Sequence, residues 1–317
     1  MNTTRTGSGR LRPSWFTRFW AIVRYELLWN IRKKKFLGVI IIAFIFSTLA
    51  WALPVVLSAT TDQAISANPD YAVTFTIPAF GMFLFALIVA MNSISSEFES
   101  GTIVPLLTKP VSRTMVFLGK LLATFLIILV TYTILFAYTI IGGIFIYGPQ
   151  NNLHLLPLGL LGNVLSTFIW IAIILAAGAI SKSTIVSSLI ALGVFIGLLL
   201  AVPIVSVFAG PSPALNFVPS GGASGRMITS QGPITVGAGT DNIGVNLINY
   251  ALYPTANVDF NRTNIQIQGG QPNITQTFAY SEPISVITLG SVATATTYII
   301  VFLIIAWVAF KRAQVLE

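Results

Sequence analysis

Five stretches of this chain contain no Asp, Glu, Lys or Arg: 36–61, 71–96, 121–181, 183–225 and 283–310. About 20 consecutive apolar residues cross the hydrocarbon core of a bilayer as a helix, the form in which a single segment satisfies its own backbone hydrogen bonds in lipid. The first, second and fifth stretches each hold one such span. The third is too long for one and is interrupted by the polar turn signal Gly148-Pro149-Gln150-Asn151-Asn152, so it reads as two. The fourth is apolar from about 184 to 209 and then turns polar and rich in Gly and Pro. Six spans result, near 36–58, 72–92, 119–147, 155–180, 184–208 and 285–309. Composition agrees: only 8% of the 317 residues are charged and 55% are hydrophobic, against about 25% charged in soluble domains.

Orientation follows from where the cations lie, because Lys and Arg collect on the cytoplasmic side. The segment before the first span carries Arg5, Arg10, Arg12, Arg18, Arg24, Arg32, Lys33, Lys34 and Lys35. Lys109, Arg113 and Lys120 follow the second span, Lys182 follows the fourth, and Lys311 and Arg312 follow the sixth. With six spans and the N-terminus inside, fifteen of the seventeen cations fall on one side; Arg226 and Arg262 fall outside. One span more or fewer would scatter them. The net charge of +8 is therefore membrane topology, not a nucleic-acid surface. The expected location is the plasma membrane, with both termini cytoplasmic. No cleavable signal peptide is expected, since no apolar stretch precedes residue 36.

Four regions follow: a basic N-terminus over 1–35, spans one to five with a cytoplasmic loop at 93–120 over 36–209, an extracytoplasmic segment at 210–284, and the sixth span with its tail over 285–317. The fold class expected is all-α and polytopic. On a helical wheel over 15–35, Trp15, Phe16, Phe19, Trp20, Ile22, Val23, Leu27 and Ile31 gather on one side and Arg18, Arg24 and Arg32 oppose them. Glu26, Leu28 and Asn30 blur the division. This pattern suits an amphipathic helix lying in the cytoplasmic interface against membrane lipid. The 210–284 segment is rich in Gly, Pro, Ser, Thr, Asn and Gln. Its alternation at Ile265-Gln266-Ile267-Gln268 hints at short strands, and 241–252 at a short helix. Asn261-Arg262-Thr263 and Asn273-Ile274-Thr275 match the N-glycosylation pattern, making Asn261 and Asn273 candidate acceptors in a host that glycosylates.

Much chemistry is missing. The chain has no cysteine, which removes disulfides, thiol nucleophiles and zinc sites, and its one histidine, His154, leaves almost no material for histidine catalysis or metal binding. No span carries an ionisable residue in its interior, which disfavours ion-coupled carriers and voltage sensors. Gly119-Lys120 is followed by Leu and lacks a Gly five residues earlier, so it is not a phosphate-binding loop. No catalytic residue, metal site or bound cofactor is expected in this chain.

The segment that stands out is 95–120: Glu97-Phe98-Glu99-Ser100-Gly101-Thr102-Ile103, then Leu106-Leu107, then Lys109-Pro110-Val111-Ser112-Arg113, then Gly119-Lys120. This string resembles the first cytoplasmic loop of the type-2 ATP-binding-cassette (ABC) permeases, exporter membrane subunits with an interfacial N-terminal helix and six spans. The resemblance implies a short coupling helix that docks on a separate ATPase subunit through Glu97, Glu99, Gly101, Thr102, Leu106 and Leu107. Pro110 and Arg113 would anchor the return to the membrane. Pro105 departs from the pattern, since proline belongs only in a first helical turn; the helix would be very short or split at Val104. The implied assembly is a permease paired with a second copy or a paralogue, above two ATPase copies that hold the ATP and Mg. A non-transporting membrane scaffold is the alternative that the uncharged spans equally allow.

Overall fold

A computed structural model describes residues 14–32, 34–61, 69–101, 111–230, 232–268 and 271–313. Among them, six helices are long and apolar enough to cross a membrane: Phe36–Thr60, Ala79–Glu99, Arg113–Tyr147, Leu153–Ser181, Thr184–Ala209 and Ile284–Arg312. The chain is a multi-pass membrane protein.

Helix α1 (Trp15–Ile31) starts at Ser14, whose hydroxyl accepts the Thr17 N–H, a standard N-cap. Its buried residues Val23, Glu26 and Asn30 recur at helical spacing. They form the face laid on α6 (Arg113–Tyr147). Gly119 permits this approach, because a Cβ there would stand 2.8 Å from the Ile22 methyl group. Trp15, Phe16, Trp20, Tyr25 and Trp29 stay exposed.

Helix α2 (Lys34–Thr61) is nearly unburied. It touches α6 through a 2.6 Å hydrogen bond between the Thr48 and Tyr138 hydroxyls, an edge-on Phe44–Tyr138 contact, and Trp51 lying on Gly142.

The second span differs from the expected continuous helix at 72–92. It is built from α3 (Tyr71–Thr74), an extended stretch at 75–78, α4 (Ala79–Ala90), a turn, and α5 (Ser95–Glu99). Pro78 is the reason: it cannot donate to a helix and pushes the residue before it toward extended backbone. Asn163, buried on α7 (Leu156–Ser181), repairs the break by accepting from the Ile77 N–H (3.0 Å) and the Thr76 hydroxyl (3.3 Å). Such repair by a neighbouring side chain is what lets a helix break inside a membrane.

Helix α7 is the most buried span. Around it pack α4, α8 (Thr184–Ala209), α9 (Ile243–Leu252) and α10 (Ile284–Arg312). Trp170 meets Phe83 and Phe195 at ring separations of 5.4 and 5.1 Å, while those two stack at 4.3 Å. The 148–152 turn joins the start of the second span. Asn152 donates to the Asp70 carboxylate and Gln150 accepts the Ala72 N–H.

The all-α expectation is too narrow. Residues 224–283 hold an antiparallel sheet of order β2-β1-β3-β4, formed by β1 (Ser224–Thr229), β2 (Gly232–Gly237), β3 (Asn257–Gln268) and β4 (Gln271–Pro283). Burial alternates along β1, as one-sided packing demands. Met227, Val236, Val258 and Phe260 form a second core with Ile284 and Ile287 of α10. The expected short helix is present as α9, which is wedged onto α7 where Gly162 meets Gly244. A Cβ on Gly162 would fall 2.3 Å from the Gly244 Cα. Behind β2, Gly239 has φ +105, and a Cβ there would strike the Gly221 carbonyl, so only glycine suits this crossing. Asn261 is half-buried and paired with Phe278, next to a register shift. Asn273 pairs with Gln266, and its side chain lies outside the described residues.

The bundle thus has two unlike ends. At one, the sheet and α9 cover the tops of α7 and α10. At the other gather α1, α5, the start of α6, the α7–α8 turn and the C-terminus of α10.

Candidate coupling face

Three consecutive residues of α5 reach three different parts of the bundle. Glu97 accepts from Lys120 Nζ of α6 at 3.0 Å. The same ammonium donates to Glu26 of α1 at 2.5 Å. Lys120 and Glu26 are almost wholly buried and Glu97 is largely so. Asn30 completes the α1 side by donating to the Glu26 carbonyl. A buried charge persists only when paired and hydrogen-bonded, so this triad ties α1, α5 and α6 into one unit.

Phe98 turns the other way. Its ring meets Phe310 near the end of α10 at 6.0 Å, and Lys182 of the α7–α8 turn lies 5.9 Å above it. Lys182 is in the left-handed region (φ 53) and closes α7, its N–H bonded to the Gly178 carbonyl.

Glu99 reaches the first turn of α8. Its carboxylate accepts from the Thr184 N–H (2.7 Å), the Ser183 hydroxyl (2.9 Å) and the Thr184 hydroxyl (2.5 Å). An anion at a helix N-terminus satisfies orphan N–H groups and meets the positive end of the helix dipole. Ser183, at the N-cap position, makes no side-chain cap bond of its own; Glu99 stands in for it from another helix.

After α5 the backbone turns at Gly101, where φ is +67. Thr102, Leu106, Leu107 and Pro110, with Pro105, lie outside the described residues. The chain resumes before Ser112, which caps α6 by accepting the Met115 N–H. Arg113 then donates to the Lys311 and Ala313 carbonyls at 2.8 and 2.9 Å. A guanidinium suits the negative end of α10. Both ends of the 102–110 loop are therefore bonded to the bundle, through different helices.

Of the interfacial residues expected on α1, Trp15 and Phe19 stack at 5.1 Å. Arg24 and Arg32 are exposed, and Arg18 is half-buried. Glu26 and Lys120 are the residues that sequence reasoning leaves without a role. The signal available for them is Glu26 itself, a lone acid on the apolar side of an amphipathic helix. Among the described residues no cluster of acids and histidine is arranged to hold a metal ion.

A family model described as ABC-2 family transporter protein matches residues 20–315. The chain belongs to the ABC-2 transporter family. The match runs from α1 through α10, so it takes in the triad, the ends of the loop, all six spans and the sheet. No curated protein matches the chain. As an ABC-2 membrane subunit the chain is a transporter component and not itself catalytic.

Proposed function

We propose that this chain is the permease of an ABC exporter, driven through its 93–120 loop by a separate ATPase. Two permeases, identical or paralogous, form the translocation path, and two ATPase subunits lie beneath them in the cytoplasm with both chain termini. ATP and Mg belong to those subunits. The N-terminal helix lies in the cytoplasmic interface and the 210–283 segment faces outside.

One observation carries the reading. Glu97, Phe98 and Glu99 on one side of the loop, and Arg113 on the other, connect it to α1, α6, α8 and α10. A push on this loop is delivered to four helices at once. A permease needs this if closure of an ATPase pair is to become a rigid-body change in the spans. A connector between two spans of a passive scaffold has no use for it.

The test is co-purification with a co-expressed ATPase, comparing the unaltered chain with Gly101→Trp and with a Glu97→Ala/Glu99→Ala double variant. The expected outcome is a complex whose ATPase rate depends on this chain, lost or reduced in the variants. An ATPase that neither binds the chain nor changes its rate overturns the proposal in favour of a scaffold.

A further inference from the structure

The break in the second span opens a cleft of about 470 Å³ between α2, the 75–81 stretch and α6. This is within the range of about 300–1,000 Å³ typical of small-molecule sites. We propose that it holds an acyl chain of a bilayer lipid. The inference needs only that α2 and α4 lie in the bilayer, and is independent of the permease role.

Three features point to a hydrocarbon. The first is depth. The α2 residues in the lining run from Ile42 to Leu53, eight residues from either end of the helix. At about 1.5 Å per residue this is about 12 Å from each end, within a core about 30 Å thick. The second is chemistry. The lining is almost entirely apolar and contains no charged residue. Of its hydroxyls, that of Thr76 is already bonded to Asn163. A drug-like molecule is oriented by a few well-aimed polar groups, and this wall offers almost none. The third is shape. Ala43, Ser47 and Ala50 on α2 and Gly81 on α4 are small residues in the lining, and beneath them the wall is closed by the buried Ile77, Phe85 and Leu135. Phe46, Leu49, Leu53 and Phe80 rise around it and are each more than half exposed. The cleft therefore opens sideways, where the surrounding medium is lipid.

The test uses the full chain, purified and returned to phosphatidylcholine vesicles that carry a trace of phosphatidylcholine with a diazirine midway along one tail. Photolabel should concentrate in peptides covering 42–53 and 77–85, severalfold above the lipid-facing stretch 185–205 of α8. Ala50→Trp and Gly81→Leu, which add bulk to the lining from α2 and from α4, should each lower that label at least about fourfold, the effect on an equilibrium of losing one buried methylene contact, and leave 185–205 unchanged. Because the chain has no cysteine, a Leu49→Cys variant reports directly on a second copy. Label at 42–53 no higher than at 185–205, label unchanged in both filling variants, or a disulfide cross-link between two copies of the Leu49→Cys variant that excludes the label would each overturn the proposal. Should one filling variant misfold, the other decides.

Discussion

Lys120 sits where the apolar part of α6 gives way to the end of the bundle carrying both termini, and it is buried there because two carboxylates face it. Removing one partner of a buried ion pair leaves an unpaired charge, at a cost of about 3–5 kcal/mol. Lys120→Met should therefore lower the thermal midpoint of the detergent-purified chain sharply. Reversing all three charges (Lys120→Glu with Glu26→Lys and Glu97→Lys) should recover most of the loss. No recovery would mean that Lys120 acts by packing alone. At the opposite end, burial pushes the half-buried Asp241 carboxyl up from 3.8 to about 6. The folded state thus holds a proton that the unfolded chain releases. Its contribution to stability is full below about pH 4 and is lost as pH rises through about 6. Asp241→Asn should keep that stability at neutral pH. Protease resistance of the 210–283 segment at about pH 4 and about pH 7 checks this: resistance should fall with pH in the unaltered chain and fall less in the variant, where the Glu282 carboxyl, also raised by burial, still titrates.

Among elements, two contacts between helices distant in sequence govern the ends of the bundle. Where α9 crosses α7, Gly162 and Gly244 bring the backbones together. Gly162→Leu should expel α9, so that limited proteolysis cuts 240–256 while the spans stay intact. At the other end Glu99 is an exposed latch holding α5 to the start of α8. Glu99→Ala should leave folding nearly unchanged but lower severalfold the response of ATPase rate to assembly with this chain. Equal loss of binding and response would instead make Glu99 part of the docking surface. Four of the six spans are legible in the sequence within about three residues, because charge-free length is a local property, and the third begins six residues before the expected start, at Arg113. The second is not legible over 72–78, since Pro78 alone does not say whether a neighbour will repair a break, and Asn163 lies far along the chain on another span. Of the residues proposed for coupling, Glu97, Glu99 and Arg113 stand out in the string. That they bond to Lys120, to Ser183 and Thr184, and to the end of α10 depends on pairings that no local pattern encodes.

For the whole molecule, the proposed topology predicts opposite accessibility of the two ends. Single cysteines introduced at Ser230 and at Ser112 into this cysteine-free chain should react with a membrane-impermeant thiol reagent in whole cells at Ser230 only, and at Ser112 only after the membrane is opened. Both reacting, or the reverse order, would refute six spans with the termini inside. By itself the sequence determined the solvent, the number of spans and the sorting of charge, because transfer of apolar and charged groups into lipid depends on residue type and on runs of neighbours. It also carried the family string at 95–120. Only the tertiary structure decided that the second span is broken, that 224–283 is a four-stranded sheet, and that Glu26 is a partner for Lys120 and no flaw in an amphipathic helix. The break and the Glu26–Lys120 pair each turn on a buried polar group satisfied from far along the chain, and the sheet on the joining of two local hairpins through β1 and β3.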